Sequence, residues 1–163
     1  MRRLRLEPLE RRDLLANLAP TTSGIATVHV AEDTPTVNVD LFAAFNDAED
    51  ADNALTYEVL GNTLPTLFSA APSVNNLTGL LTFAPGANAN GSSTITVRAT
   101  DTGSLSVQTS FVLHVYEVND PPTGNNDTLV NVTEDAVGFV FPFSSLTAND
   151  VRGPSNETPQ SLT

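Results

Sequence analysis

Acidic residues are the feature of this sequence most able to do chemistry. The segment Asp47–Asn53 carries four carboxylates within seven positions, and Asp101 and Glu32 follow other predicted strands. Two carboxylates about 4 Å apart repel each other by roughly 4 kcal/mol at an effective dielectric constant of about 20. Acids that folding brings together therefore favour a bound cation, and hard oxygen ligands favour calcium.

The charge and composition of the chain narrow the classes of partner. The formal net charge is −12, lysine is absent, and five of the seven arginines lie within the first twelve residues. A surface this acidic repels nucleic acid and anionic lipid. No apolar run approaches the roughly 18 residues that a membrane-spanning helix needs, and the absence of cysteine excludes disulfides and thiolate metal sites. We expect neither a nucleic-acid partner nor a membrane-spanning segment.

Strands must position these acids. From about residue 25, apolar and polar residues alternate with a period of two, and Gly, Pro and Asn separate the runs. In the clearest run, Ile95, Val97 and Ala99 are predicted to face inward. The pattern predicts strands near 25–31, 35–41, 54–60, 66–70, 78–83, 92–100 and 105–118. About seven short antiparallel strands in about 95 residues indicate an all-β, immunoglobulin-like antiparallel β-sandwich.

An internal repeat indicates a second module. Val30–Thr34 recurs as Val132–Ala136, and Phe45–Asp47 is echoed by Ala148–Asp150 at nearly the same offset. A proline-containing joint, which is expected to be stiff, lies between the copies. We predict a basic N-terminal segment at 1–20, a sandwich at 21–120, a linker at 121–126 and an incomplete second repeat at 127–163.

Several motifs resemble those of cadherin-like tandem repeats in large bacterial surface proteins. Asp50–Tyr57 looks like the Asp-x-Asp loop that leads into the third strand, and Val97–Asp101 looks like the Ala-x-Asp calcium motif. Val118–Pro122 resembles the Asn-Asp-x-Pro linker of such repeats. The string Leu6–Ala16 (LEPLERRDLLA) resembles an N-terminal element of these proteins. The resemblance implies a cadherin-like sandwich, export, and an extracellular or cell-surface location.

The same resemblance implies a calcium (Ca²⁺) site at each end of the sandwich. At the N-terminal end the implied ligands are Asp50, Asp52 and Asp101. At the joint with the next module they are Glu32, Asn119 and Asp120. The acidic Leu-Asp-Arg-Glu element of animal cadherins is replaced here by Ala84–Asn88. An affinity around 10⁻⁴–10⁻³ M is typical of extracellular modules.

Two functions from different classes follow. In the first, the chain is a calcium-dependent structural or adhesive module whose partners are adjacent repeat modules and a cell-surface protein or glycan. In the second, it is a passive spacer or a carbohydrate-binding accessory domain of a larger secreted enzyme. The chain itself is not expected to be an enzyme, because its acids lie at loop ends without an evident cleft. His29 and His114 are expected to be surface residues without acidic or serine partners.

Overall fold

Short strands account for most of the regular structure. The computed structural model describes residues 16–128, 134–135, 137–138, 140 and 142–156. The strands formed by these residues are β1 (Thr21–Thr22), β2 (Val28–Ala31), β3 (Val37–Asp40), β4 (Phe45–Asn46), β5 (Thr56–Asn62), β6 (Ser73–Asn75), β7 (Leu80–Phe83), β8 (Gly91–Thr100) and β9 (Ser106–Tyr116). Two 3₁₀ turns and a helix α1 complete the regular elements at Asp52–Ala54, Pro65–Leu67 and Phe143–Leu146.

The strands form two larger sheets, which pack around one hydrophobic core, and a third sheet of two short strands. The four-stranded sheet has the order β2-β9-β8-β5, the three-stranded sheet has the order β3-β7-β6, and β1 pairs with β4. Leu81 and Phe83 from one sheet and Ile95 and Val97 from the other lie in the same core cluster. The predicted all-β, immunoglobulin-like sandwich is confirmed.

One strand pair differs from the antiparallel pattern. β2 runs parallel to β9, whereas the other paired strands in the described residues are antiparallel. A period-two alternation shows which face of a strand is buried, but it carries no information about the direction of the neighbouring strand. The sequence therefore could not distinguish this parallel pair.

The alternation in the central strands is confirmed. Inward positions of β8 and β9 are buried, whereas the outward Thr94 and Thr96 are half-buried. The buried residues of the two strands are Ser93, Ile95, Val97, Ala99, Phe111, Leu113 and Val115. These two long strands form the base from which the loops at each end project.

The prediction of a strand at 66–70 was wrong. Pro65–Leu67 forms a 3₁₀ turn, Phe68 makes an isolated bridge to Pro85, and the strand of this region forms later as β6. Proline fixes φ near the helical value and is favoured in the first turn of a helix. Leu67 and Phe68 are nevertheless buried. The apolar run thus indicated burial correctly and the type of element incorrectly.

The chain after β9 makes a few defined contacts. Thr123 and Val151 exchange two backbone hydrogen bonds of 2.9 Å, and the backbone N–H of Asn125 donates to Asp150 Oδ1 at 2.7 Å. Most of the repeated motif at 132–136 lies outside the described residues, as do residues 1–15 of the basic segment, which include all but the last residue of the export-type string. The predicted domain boundaries stay predictions. No helix in the described part of the chain is long and apolar enough to cross a membrane.

Candidate functional site

The loop between β4 and β5 is organised around Asp47. Its Oδ1 accepts hydrogen bonds from the backbone N–H groups of Glu49 at 2.8 Å and Asp50 at 2.9 Å. The hydrogen bonds from Asp50 and then Glu49 hold the pKa of the Asp47 carboxyl below its usual value. Asp47 Oδ2 is buried and has no hydrogen-bond partner among the described residues. A buried carboxylate oxygen without a donor is costly and calls for a water or a cation.

Asp50 joins this loop to the turn between β8 and β9. Thr102 donates from its backbone N–H to Asp50 Oδ2 at 2.9 Å. The Thr102 hydroxyl lies 3.1 Å and 2.9 Å from the two carboxylate oxygens. Two segments 52 residues apart in sequence are thereby held together at one end of the sandwich.

Asp101 lies at this same end, directly after β8, and is 6% exposed. Its Oδ1 accepts from the Leu105 backbone N–H at 2.8 Å, and its Oδ2 accepts from Asn17 Nδ2 at 2.9 Å. The backbone N–H of Leu18 donates to Glu49 Oε2 at 3.4 Å. The N-terminal segment therefore contacts carboxylates of both loops. We refer to the group Asp47, Glu49, Asp50 and Asp101 as the acidic end.

Asp52 contacts the core of the sandwich through its backbone carbonyl group. It begins the 3₁₀ turn, and its carbonyl oxygen accepts a hydrogen bond from the Tyr57 hydroxyl at 3.0 Å. Burial, with smaller contributions from Asp52 and Asp40, raises the pKa of Tyr57 to about 12. The Tyr57 ring packs against Phe42 and Phe45, with centroid distances of 5.8 Å and 5.7 Å. Through the Tyr57 hydroxyl, this aromatic cluster contacts the loop between β4 and β5.

The structure brings the loop that carries Asp50 and Asp52 next to the turn that carries Asp101, at one end of the sandwich. Asp47 and Glu49 belong to the same end and were not among the predicted ligands, although Asp47-Ala-Glu49 has the same alternate spacing as Asp50-Ala-Asp52. Within the described ranges, no three or more acidic or histidine side chains form a group that could hold a metal ion. Calcium binding by Asp50, Asp52 and Asp101 stays a prediction.

Glu32 lies at the opposite end of β9 from Asp101. Its backbone N–H donates to Tyr116 O at 2.9 Å, and its side chain is 2% exposed. Glu32 Oε1 accepts from the Val118 backbone N–H at 2.9 Å, and Asn156 Nδ2 lies 3.0 Å from Oε2. The Asn156 Oδ1 atom is buried and has no partner within the described residues. Glu32 thus contacts both Val118, near the end of the predicted sandwich, and Asn156, in the predicted second repeat.

The remaining predicted joint ligands lie beside Val118. Asn119 Nδ2 donates to the backbone oxygen of Asp120 at 3.5 Å. Asn119 is exposed and Asp120 is half-buried. Their predicted role as calcium ligands together with Glu32 stays a prediction.

Both histidines have hydroxyl partners. The prediction that His114 lacks a serine partner was wrong, whereas the partner of His29 is a tyrosine. His114 Nδ1 lies 2.6 Å from Ser92 Oγ, and His29 Nδ1 lies 2.6 Å from the Tyr116 hydroxyl. Both pairs form across neighbouring strands, which a search for partners nearby in sequence does not detect.

Comparison with known families assigns the sandwich. The sequence profile of the Bacterial Ig domain matches residues 17–113, more than half of the chain. The chain belongs to the Bacterial Ig domain family. The match begins at Asn17, the residue whose side chain contacts Asp101. No curated protein sequence matches the chain.

Solved cadherin ectodomains resemble this Ig domain. The extracellular domain of Protocadherin GammaB4 is 27% identical with a TM-score of 0.50, and the match covers 70% of this chain and 20% of that one. Protocadherin Gamma B7 domains 1–4 are 27% identical with a TM-score of 0.49, and the match covers 72% of this chain and 29% of that one. Mouse Cadherin-23 EC22-24 is 26% identical with a TM-score of 0.47, and the match covers 61% of this chain and 31% of that one. The chain spans less than a third of each of these chains, and the first likeness supports a cadherin-like sandwich.

Proposed function

We propose that the chain is a non-enzymatic structural module of an extracellular or cell-surface repeat protein, and that calcium bound at the acidic end stiffens it. The Bacterial Ig family and the cadherin-like sandwich support a structural role. The observation that supports calcium binding is the environment of the Asp47 carboxylate. Its pKa is lowered, so it is ionised at neutral pH, and its Oδ2 is buried without a partner among the described residues.

The acidic end supplies oxygen donors of the type that calcium prefers. Asp47, Glu49, Asp50 and Asp101 supply carboxylate oxygens, and the Asn17 side chain adds an amide group against Asp101. Calcium takes roughly six to eight oxygen ligands in a flexible geometry, so ligands from separate loops can contribute to one site. A bound divalent ion would offset the repulsion between neighbouring carboxylates and hold the Asn17–Leu18 segment against both loops.

The joint end has a smaller set of oxygens. Glu32 is buried and carries a carboxyl group, and the amide nitrogen of Asn156 contacts this group. The amide oxygen of Asn156, Oδ1, is buried without a partner among the described residues. Together with Asn119 and Asp120, these groups are the proposed ligands between this module and the next. Fixing this joint would limit bending between neighbouring modules, which are the proposed partners.

A passive spacer, free or as an accessory domain of a larger secreted enzyme, is the second candidate. Asp50 and Asp101 already accept hydrogen bonds at both carboxylate oxygens. The described residues also contain no group of three acids arranged for a metal. In this case the acids stabilise the loops by accepting backbone hydrogen bonds, and calcium leaves the stability of the domain unchanged.

Thermal unfolding of the full chain in EGTA and in increasing calcium distinguishes the two candidates. At a calcium concentration ten times the dissociation constant, linkage adds about 1.4 kcal/mol to the free energy of unfolding. We expect the melting temperature to rise in wild type and not in the double variant Asp47→Asn, Asp101→Asn. Glu58→Gln removes one negative charge from β5 together with its ion pair to Arg98. As a control away from the acidic end, its melting temperature should rise with calcium as that of wild type does. A melting temperature that is independent of calcium supports the passive spacer.

A further inference from the structure

The only two histidines of the chain lie side by side on the outer face of the four-stranded sheet. The parallel register between β2 and β9 places His29 directly opposite His114. Their rings stack with centroids 5.1 Å apart and an interplanar angle of 20°. Neither ring belongs to the hydrophobic core, and neither contacts the acidic end, so neither the packing nor the proposed calcium role explains this pair.

Each imidazole is held by a hydroxyl group at one ring nitrogen. The Tyr116 hydroxyl lies 2.6 Å from His29 Nδ1, and Ser92 Oγ lies 2.6 Å from His114 Nδ1. Tyr116 also stacks on His29 with a centroid distance of 5.7 Å and an angle of 7°. When the proton is on Nδ1 and is donated to the hydroxyl oxygen, the Nε2 lone pair is free. Metal-binding histidines are oriented by supporting hydrogen bonds of this kind.

We propose that His29 and His114 together bind a first-row transition-metal ion such as Zn²⁺ or Cu²⁺ through their Nε2 atoms. Imidazole is a preferred ligand of these ions, and Cu²⁺ binds more tightly than Zn²⁺ at a given site. Because Zn–N bonds are about 2.1 Å long, two nitrogens on one ion are at most about 4.2 Å apart. The stacked rings lie in nearly parallel planes, so binding requires them to turn until both Nε2 lone pairs point at the ion. The other coordination positions are left to water.

This site is chemically distinct from the acidic end. Calcium selects oxygen ligands, whereas two imidazoles select softer ions. The absence of cysteine and of further histidines means that no other imidazole or thiolate in the chain competes for zinc. The two proposals can consequently fail independently.

Zinc titration of the full chain without an affinity tag tests the proposal. With only two histidines, proton NMR gives one Cε1–H signal for each, and we expect both signals to shift together and to saturate at one zinc per chain. His29→Gln and His114→Gln should each weaken zinc binding by more than about tenfold, since even the loss of a supporting residue costs about that much. Tyr116→Phe and Ser92→Ala should weaken it by about tenfold.

The controls separate this site from the acidic end. The double variant Asp47→Asn, Asp101→Asn should bind zinc like wild type, and millimolar calcium should not displace the zinc. Melting temperatures in EDTA show that the histidine variants are folded. The proposal is overturned if only one histidine signal responds, or if the double variant His29→Gln, His114→Gln binds zinc with wild-type affinity.

Discussion

Asp47 stabilises its loop much as a capping residue stabilises the first turn of a helix. One carboxylate oxygen accepts the backbone N–H groups of Glu49 and Asp50, which would otherwise lack acceptors. The other oxygen is buried and has no hydrogen-bond partner among the described residues. The same residue therefore has a structural role through Oδ1 and a proposed binding role through Oδ2.

Replacing Asp47 separates these roles. Asp47→Ala removes the acceptor of two backbone donors and should lower the melting temperature by several degrees, whereas Asp47→Asn keeps an oxygen and should lower it less. In the folded state, the pKa of Asp47 is lowered from its ordinary value of 3.8. The ionised Asp47 carboxylate thus contributes to the free energy of unfolding above this value, and this contribution is lost as pH falls through the folded pKa. The difference between wild type and Asp47→Ala should narrow below a pH of about 4. Equal stability of the two proteins at neutral pH would refute this role.

Tyr57 is a second residue with a distinct titration. Its pKa is raised to about 12, chiefly by burial. A raised pKa means that the neutral phenol is favoured in the folded state, so stability is lost as pH rises above about 10, where the unfolded phenol ionises. Tyrosinate absorbance measures this directly, because the chain has two tyrosines and no tryptophan. In the variant Tyr116→Phe, the remaining phenol should titrate near 12, and titration near 10 would contradict its burial.

The sequence identified only part of the acidic end. Asp50 and Asp101 were selected by spacing and by resemblance, and they do lie at one end of the sandwich. Asp47 and Glu49 are not among the predicted ligands because the resemblance to the Asp-x-Asp loop covers Asp50–Tyr57 and not the residues before it. The turn at Asp47 buries one carboxylate, and that turn depends on hydrogen bonds not visible in the sequence.

At the scale of elements, the core depends on inward residues from both sheets. Leu81 in β7 is 0% exposed, whereas Leu60, at the register shift between β5 and β8, is 43% exposed. Leu81→Ala leaves a cavity and should lower the free energy of unfolding by about 2–5 kcal/mol. Leu60→Ala should cost less than about 1 kcal/mol because little apolar area is lost. Urea denaturation measures both variants, and equal losses would contradict the sandwich as described.

The predictability of the elements followed the length of the strands. β8 and β9 each carry enough alternating positions for the period-two pattern to define their buried faces. β6, with three residues, and the turn at Pro65–Leu67 are too short for a pattern to decide between strand and turn. The direction of β2 was also beyond the sequence, because it is fixed by pairing with a strand about 85 residues away.

At the scale of the whole molecule, Glu32 couples the sandwich to the segment that follows. Glu32→Ala removes the acceptor of the Val118 backbone N–H and of the Asn156 amide, both at the joint. Leaving these donors without a partner should cost about 1–3 kcal/mol. Glu32→Gln, which keeps one oxygen, should cost less. Urea denaturation gives the free energies, and a stability of Glu32→Ala equal to that of wild type would show that the joint contributes nothing.

The central claim is that a cation binds at the acidic end, and terbium luminescence tests it most directly. Terbium substitutes for calcium at oxygen sites and luminesces when a nearby tyrosine transfers its excitation. Tyr57 donates to the Asp52 carbonyl within the acidic loop, whereas Tyr116 lies at the joint, with its carbonyl bonded to the Glu32 N–H. In Tyr116→Phe, the chain has no tryptophan and only Tyr57 remains as donor.

We predict that Tyr116→Phe gives terbium luminescence that calcium competes away, and that adding Asp47→Asn reduces it at least severalfold. An absence of luminescence in Tyr116→Phe, or luminescence that Asp47→Asn leaves unchanged, would contradict a cation site at the acidic end.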